Sequence, residues 1–208
     1  MRTIVFADVH GNLPALITLI SRERADRWLS LGDIVGYGPW ANECVDVVQY
    51  LCEVKLRGNH ENYYLCHAID RQGMAERFFD FCHPTFDRFD EIGSWKDVHN
   101  EDGIKFRHTI NNDTIYPDSL PEWNGYYIIA HSHHQSVHYK DGGFIYCIGS
   151  VGQNRQYINK IDYLVIDRKI ELMSMLYDES TILEEMRRRG YPQECIEYYS
   201  KKGRADVL

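Results

Sequence analysis

The first 56 residues alternate between short apolar runs and longer amphipathic stretches, and this alternation constrains the fold more than any other feature. Three of the apolar runs predict strands: Thr3–Ala7, Trp28–Leu31 and Cys52–Leu56. Between them, Asn12 and Pro14 open one predicted helix, and Asn42–Leu51 has the apolar spacing of a second. This order of strands and helices predicts an α/β fold with a largely parallel sheet.

The predicted secondary structure changes twice along the rest of the chain. Residues 62–94 are predicted to be helical and are rich in aromatic side chains. Beyond them, Asp102-Gly103 and Asp141-Gly142-Gly143 indicate turns between short strands. Two strands and two helices follow: Tyr163–Asp167, Ile170–Met175, Ser180–Gly190 and Gln193–Lys202. Because no linker, repeat or low-complexity segment interrupts the sequence, residues 1–208 are predicted to form a single domain.

Charge and cysteine content narrow the functional classes. The formal net charge is −8, which disfavours binding to duplex nucleic acid, because such binding needs a basic surface. None of the six cysteines forms a CxxC pair, and the N-terminus has no signal-peptide pattern. No stretch approaches the ~20 apolar residues of a membrane span. We therefore expect a cytoplasmic protein with reduced thiols and no membrane association.

Residues of the types that bind metals occur at five places, each where a predicted strand ends. They are Asp8 and His10, Asp33, Asn59 to Glu61, His108, and His131 and His133. Sites in α/β folds form outside the carboxyl ends of strands, so these segments are expected to converge. Asp8 and His10 are two residues apart, and they can share a cation only if the chain leaves regular strand geometry there.

The chemistry of this residue set points to phosphate esters. Two cations ~3.5–4 Å apart neutralise an ester phosphate and lower the pKa of a bound water. Carboxylate, imidazole and amide ligands suit borderline divalent metals, namely Mn²⁺, Fe²⁺, Ni²⁺ or Zn²⁺. Arg57 and Tyr37 stand beside these residues, and each has either a phosphate-binding role or a packing role.

The residues resemble, in order and spacing, the calcineurin-like metallophosphoesterase superfamily: Asp8-x-His10, Gly32-Asp33, Gly58-Asn59-His60-Glu61, His108 and His131-x-His133. Two further stretches, Gly32–Pro39 and Ile148–Gln153, resemble its small bacterial and archaeal phosphodiesterase branch. The resemblance covers nearly the whole chain and is weakest over residues 62–94. It implies a four-layer α/β/β/α sandwich with a two-metal site at one rim.

The resemblance also implies a role for each residue of the site. One cation is held by Asp8, His10, Asp33 and His133, and the other by Asp33, Asn59, His108 and His131. Water activated between the two cations attacks the phosphorus, and His60, which is not a ligand, protonates the leaving group. Glu61 stands where the family usually has an aspartate that assists this histidine. The implied substrate is a small phosphodiester.

Two positions near the ligands depart from the family pattern, since Ala130 and Thr109 each replace a glycine. His108 remains the expected ligand because it ends the strand-like run Ile104–Arg107. The nearby alternative, His99, precedes the turn at Asp102-Gly103 and is expected at the opposite end of that hairpin, far from the site.

Two alternative functions stay open at this stage. A phosphomonoesterase is one, and a protein serine/threonine phosphatase is its special case. Such phosphatases carry Asp-Arg-Gly soon after the Gly-Asp motif, whereas Ile34-Val35-Gly36 follows Asp33 here. A non-catalytic metal-binding scaffold would be expected to lose His60 or some ligands, which this chain retains. A homo-oligomer is also compatible with the sequence.

Overall fold

The computed structural model describes residues 1–70 and 72–206, and its strands form two five-stranded sheets. The strands are β1 (Thr3–Phe6), β2 (Arg27–Ser30), β3 (Val54–Lys55), β4 (Val98–Glu101), β5 (Ile104–Arg107), β6 (Tyr126–Ile129), β7 (Gln135–Lys140), β8 (Gly143–Ile148), β9 (Lys160–Ile166) and β10 (Ile170–Leu176). Their order is β10-β9-β1-β2-β3 in the first sheet and β4-β5-β6-β8-β7 in the second.

Seven α-helices accompany the sheets in the described residues. They are α1 (Leu13–Arg22), α2 (Ala41–Leu51), α3 (Asn59–Leu65), α4 (Met74–Cys82), α5 (Phe89–Gly93), α6 (Ser180–Arg188) and α7 (Gln193–Ser200). As predicted, Asn12 caps α1, because its side chain accepts a hydrogen bond of 3.2 Å from the Ala15 N–H. No helix within the described ranges is both long and apolar enough to cross a bilayer.

The first sheet is mixed rather than largely parallel. Strands β1, β2 and β3 run parallel, as predicted, but β9 pairs antiparallel with β1 and β10 antiparallel with β9. Strand β3 is shorter than the predicted Cys52–Leu56. Cys52 still belongs to the end of α2, where its N–H donates to the Val48 carbonyl, and Leu56 makes only an isolated bridge to Lys96.

Three of the four apolar clusters in the described residues lie against the sheets, and they define an α/β sandwich of the predicted class. One lies between the first sheet and the helices that cover it, and contains Ile4, Phe6, Leu16, Leu19, Val45 and Val48. The second lies between the two sheets, and contains Val5, Leu29, Phe106, Ile128 and Ile148. The outer face of the second sheet is packed by Ile110, Ile115 and Trp123, which belong to residues 109–125, a stretch without helix.

The segment 62–94 contains most of α3 and all of α4 and α5, and its aromatic side chains divide between two clusters. Tyr64, Phe79 and Phe86 join the core between the helices and the first sheet. Phe78 instead packs with Tyr37 and with residues of α6 and α7. Core packing therefore accounts for most of the aromatic content of this segment.

Parallel strands bring the candidate site residues to one rim of the sandwich. Backbone hydrogen bonds tie the loops there together: the Asp8 N–H donates to the Gly32 carbonyl and the Ala130 N–H to the His108 carbonyl, both at 3.0 Å. The Gly152 N–H, in the loop after β8, donates to the Asp8 carbonyl at 3.0 Å. The loops of both sheets thus meet at the same place.

Candidate metal centre

Five of the predicted metal ligands have left-handed backbone conformations. Their φ angles are 53° at Asp8, 50° at His10, 54° at Asp33, 71° at His131 and 59° at His133. Non-glycine residues rarely adopt such angles, and they persist where the surrounding structure imposes them, often at functional sites. Strand β1 ends at Phe6, so Asp8 and His10 lie outside regular strand geometry, as a shared cation requires.

The first ligand cluster consists of Asp8, His10, Asp33 and His133, all buried, with one ligand atom of each within 4.8 Å of the others. The Nε2 atom of His133 lies 3.2 Å from Asp8 Oδ1 and 3.2 Å from His10 Nε2. His10 Nε2 lies 3.8 Å from Asp8 Oδ1 and 3.8 Å from Asp33 Oδ2. Two carboxylates and two imidazoles therefore face one common point.

The second cluster contains Asp33, His108 and His131, again with ligand atoms within 4.8 Å of one another. His108 Nε2 lies 3.2 Å from Asp33 Oδ2. Asn59 lines the same cavity as Asp33 and His131, and its buried Oδ1 has no hydrogen-bond partner among the described residues. Asp33 belongs to both clusters, which is the position predicted for a bridging carboxylate.

Backbone carbonyls fix the orientation of three of the imidazoles. The Nδ1 atoms lie 3.1 Å from Val35 O in His10, 2.9 Å from Leu31 O in His108 and 2.8 Å from Gln153 O in His133. A carbonyl only accepts, so in each ring Nδ1 carries a hydrogen and Nε2 is the nitrogen left to face the cluster.

The contact between His10 and His133 is the clearest sign of a cation site. In the neutral rings both Nε2 atoms present lone pairs, and these two atoms lie only 3.2 Å apart. Burial is the first cause that lowers the pKa of both side chains, with neighbouring cationic groups second: His60 for His10, and Arg155 for His133. Both rings therefore stay neutral, and a cation between them would satisfy both lone pairs.

The pKa values of the other candidate ligands shift in different directions. Burial raises the pKa of Asp8 to about 7. Burial also opposes ionisation of Asp33, but the charges of His108 and His60 hold its pKa well below the usual range. Burial lowers the pKa of His108, but the Asp33 carboxylate outweighs it and raises that pKa to about 10. Burial and the His108 charge lower the pKa of His131 to about 4.

Unsatisfied polar atoms test whether metal ions fit these residues. Asp8 Oδ1 and Asn59 Oδ1 are buried and have no hydrogen-bond partner in the part of the chain that the structure describes. Buried polar atoms are normally paired, so two unpaired oxygens at one site require an explanation. Carboxylate, amide and imidazole donors are the ligands of borderline divalent cations, and the residues therefore fit such ions.

His60 lies beside the clusters. It is buried, lines the cavity over Asp33, and donates its backbone N–H to Asp33 Oδ1 at 2.8 Å. Its ring centroid lies 4.7 Å from that of His10 and 5.2 Å from that of Tyr37. The structure thus places His60 against the candidate metal ligands.

The contacts of Glu61 differ from those expected of a partner of His60. Its Oε1 accepts the backbone N–H groups of Ile34 and Val35 at 2.7 and 3.2 Å, and its Oε2 accepts those of Asp33 and Gly58 at 2.8 and 2.7 Å. Glu61 therefore joins the Asp33 loop to the start of α3. The longer glutamate side chain has the reach for this role.

A cavity of about 50 Å³ opens over the clusters and includes residues that the sequence did not single out. Thr114, Tyr116 and Arg155 line it together with Tyr37 and several of the candidate metal ligands. Arg155 donates a hydrogen bond of 2.7 Å to the Tyr198 hydroxyl. The sequence signal for Arg155 was its position two residues after the Ile148–Gln153 motif. Thr114 and Tyr116 lie in an irregular loop without such a motif.

The predicted placement of His99 is wrong. His99 pairs with Phe106 in the β4–β5 hairpin, near the end that leads to His108 and not at the far end. It still belongs to neither cluster, because its Nε2 contacts Glu101 Oε2 at 2.9 Å on the hairpin itself. His108, which follows this hairpin, does belong to the second cluster. This agrees with the prediction that His108, and not His99, reaches the site.

Comparison with known proteins agrees with this geometry. A curated relative, the uncharacterized protein MJ0912 of Methanocaldococcus jannaschii, is 26% identical over 91% of this chain and 93% of its own. The crystal structure of a metallophosphoesterase from Sphaerobacter thermophilus aligns with a TM-score of 0.82 at 21% identity, covering 96% of this chain and 98% of its own. The crystal structure of the hypothetical protein PH1004 from Pyrococcus horikoshii aligns with a TM-score of 0.83 at 17% identity. The alignment covers 98% of this chain and 99% of that protein.

These structural alignments confirm the fold. The family model of the calcineurin-like phosphoesterases matches residues 1–166, the part of the chain that carries every residue of both ligand clusters. The chain therefore belongs to the calcineurin-like phosphoesterase family.

Proposed function

We propose that the protein hydrolyses small phosphate diesters with the help of two divalent cations. Family membership makes it a phosphoesterase. The observation that supports two cations is the shared position of Asp33, since one carboxylate faces two separate groups of ligand atoms. His60 is retained beside them, which argues against a non-catalytic scaffold.

The ligand assignments follow the two clusters. Asp8, His10, Asp33 and His133 would hold one cation, and Asp33, Asn59, His108 and His131 the other. Bound there, the cations would neutralise the ester phosphate and supply an activated water. Mn²⁺, Fe²⁺, Ni²⁺ and Zn²⁺ all suit this donor set.

The protein side chains would orient the ester and move the proton. His60 lies at the cavity, beside the ligands, and is placed to protonate the leaving oxygen. Arg155 lines the same cavity and is placed to pair with a phosphate oxygen. Glu61 acts as a positioning residue, since its carboxylate holds the backbone of the Asp33 loop.

The choice of a diester over a monoester rests on the sequence. Gly32–Pro39 and Ile148–Gln153 resemble the small bacterial and archaeal phosphodiesterase branch, and the absence of the Asp-Arg-Gly motif argues against a protein phosphatase. The two cations would supply most of the positive charge at the phosphate. Arg155 is the single lysine or arginine among the described residues that line the cavity, and it would add to that charge.

A metal-by-substrate screen tests the proposal. Protein stripped with a chelator and reloaded with each of the four cations is assayed with bis(p-nitrophenyl) phosphate, p-nitrophenyl phosphate and a cyclic nucleotide. We expect the aryl diester to have the highest kcat/KM with at least one cation and no turnover in the stripped protein. A faster monoester would make the protein a phosphomonoesterase, and no turnover with any loaded cation would support the scaffold.

A cytoplasmic location of the protein is part of the same proposal. All six cysteines are free, in keeping with a reducing cytoplasm. We also propose that residues 1–208 act as one domain on a small phosphate-ester substrate, and the screen above requires no oligomeric partner.

A further inference from the structure

A second and larger cavity lies beside the metal centre. Its volume is about 480 Å³, and it borders the candidate ligands Asn59 and His108. We call it the arginine groove, and its other lining side chains include Arg57, Asn62, Asp97, Arg107, Thr109 and Asn112. No apolar side chain is among them, so the groove suits a polar occupant.

The groove carries an excess of positive charge. Arg57 is paired, since its Nε and Nη2 donate to Asp97 Oδ1 at 3.1 and 2.7 Å. Arg107 is half-buried, and its guanidinium has no ion pair or hydrogen bond with any side chain in residues 1–70 or 72–206. Asp97 is the single carboxylate among the groove residues. The guanidinium group of Arg107 therefore remains available to bind an anion, in a chain whose net charge is −8.

The groove and the cavity over the clusters are neighbours. Asn59 lines both of them. The loop after β5 also serves both, since Thr109 and Asn112 line the groove and Thr114 lines the smaller cavity. A phosphorus atom held by the two clusters would therefore have two openings beside it, the smaller cavity that His60 lines and the groove that Arg107 lines.

The position of His60 decides which substituent takes which opening. A leaving group must depart on the side of the acid that protonates it, and His60 lines the smaller cavity, not the groove. The substituent that stays on phosphorus then lies in the arginine groove.

We propose that the arginine groove binds a second phosphate group, carried by the substituent that stays on the scissile phosphorus. This inference rests on the proposed diesterase function and names its substrate class: phosphodiesters with an additional phosphate. Arg107 supplies the uncommitted fork, which matches phosphate oxygens in a bidentate manner. The amides of Asn62 and Asn112 line the same groove and supply further donors.

Two matched chromogenic substrates test this assignment. Thymidine 5′-(p-nitrophenyl phosphate) has one phosphate, and its 3′-phosphorylated form has a second phosphate with the same leaving group. Hydrolysis adds water across the scissile P–O bond and yields p-nitrophenol with thymidine 5′-phosphate or thymidine 3′,5′-bisphosphate. We expect a higher kcat/KM for the 3′-phosphorylated substrate, mainly through a lower KM.

Variants at Arg107 locate the effect. Arg107→Gln should reduce the ratio of the two kcat/KM values about tenfold, the scale of one charge-assisted hydrogen bond. Arg107→Lys, which keeps the charge but loses the fork, should fall between. Arg168→Gln, in the turn between β9 and β10, is the matched control and should leave the ratio unchanged. Near-normal metal content and thermal stability would show that the variants fold.

The outcomes separate the two proposals. If wild-type protein hydrolyses both substrates equally well, or if Arg107→Gln lowers both rates equally, the second-phosphate site is wrong while the diesterase function stands. If bis(p-nitrophenyl) phosphate and both thymidine esters all resist the metal-loaded protein, the proposed function fails, and the groove assignment fails with it.

Discussion

Replacing Gly58 by alanine should damage both ligand clusters through one methyl group. A Cβ atom at this position would lie 2.1 Å from Asp33 Oδ1 and 2.8 Å from the Asp33 backbone nitrogen, whereas ordinary contacts begin near 3.4 Å. Asp33 and its loop must therefore move. Overpacking of this kind costs ~1–3 kcal/mol of stability, and a displacement near 1 Å at a reacting centre costs on the order of a hundredfold in rate.

Metal content and turnover measure this effect. Gly58→Ala, loaded with Mn²⁺ and passed through a desalting column, should retain less of both cations than wild type and hydrolyse the aryl diester far more slowly. Gly93→Ala is the matched control, because its added Cβ would meet nothing closer than Leu65 Cδ2 at 3.6 Å. Wild-type metal content and activity in Gly58→Ala would refute the argument that Asp33 is held in place for both clusters.

Three further predictions follow from the site. His60→Ala should keep near-normal metal content but lose ~10²–10⁴-fold in turnover, because its task is proton transfer; loss of one cation would make it a ligand instead. Asp33→Asn should reduce metal loading more than His131→Asn does, because a neutral amide removes the charge that faces both clusters; titration calorimetry of the two variants compares them. The affinity for both cations should rise with pH, because each cation must displace a proton. Burial raises the pKa of Asp8, a ligand of the first cation, to about 7. Burial lowers the pKa of His108, a ligand of the second cation, but the Asp33 carboxylate outweighs it and raises that pKa to about 10. The first cation should bind about tenfold more tightly per pH unit up to pH 7, and the second about tenfold more tightly per unit up to pH 10. Titrations at several pH values measure that slope, and a pH-independent affinity would contradict it.

Local sequence patterns predicted the elements that carry the site. The strand ends before Asp8, Asp33 and His108 were recognisable because apolar runs stop there and polar residues begin. The boundaries were less accurate, since α6 and α7 each end two residues before the predicted limit. The antiparallel pairing of β9 with β1 depends on contacts between distant segments, which local patterns do not encode.

The residues around the candidate ligands were harder to predict than the two clusters of candidate ligands. Arg155 and Arg107 reach the two cavities from a loop and a strand end, and an arginine in either place is ordinary on a protein surface. His99 was misplaced because the length of the β4–β5 hairpin was misjudged: four residue pairs bring it close to the His108 end. The role of Glu61 depends on four backbone N–H groups that only the folded loop brings together.

Anomalous diffraction from crystals grown with Mn²⁺ tests the central claim most directly. The account predicts two anomalous peaks per chain, one among Asp8, His10, Asp33 and His133, and one among Asp33, Asn59, His108 and His131. The Asp33 carboxylate should contact both ions, and the His108 nitrogen should lie ~2.0–2.3 Å from the second. One peak, or a second peak that contacts neither Asn59 nor His108, would contradict the proposed two-metal centre.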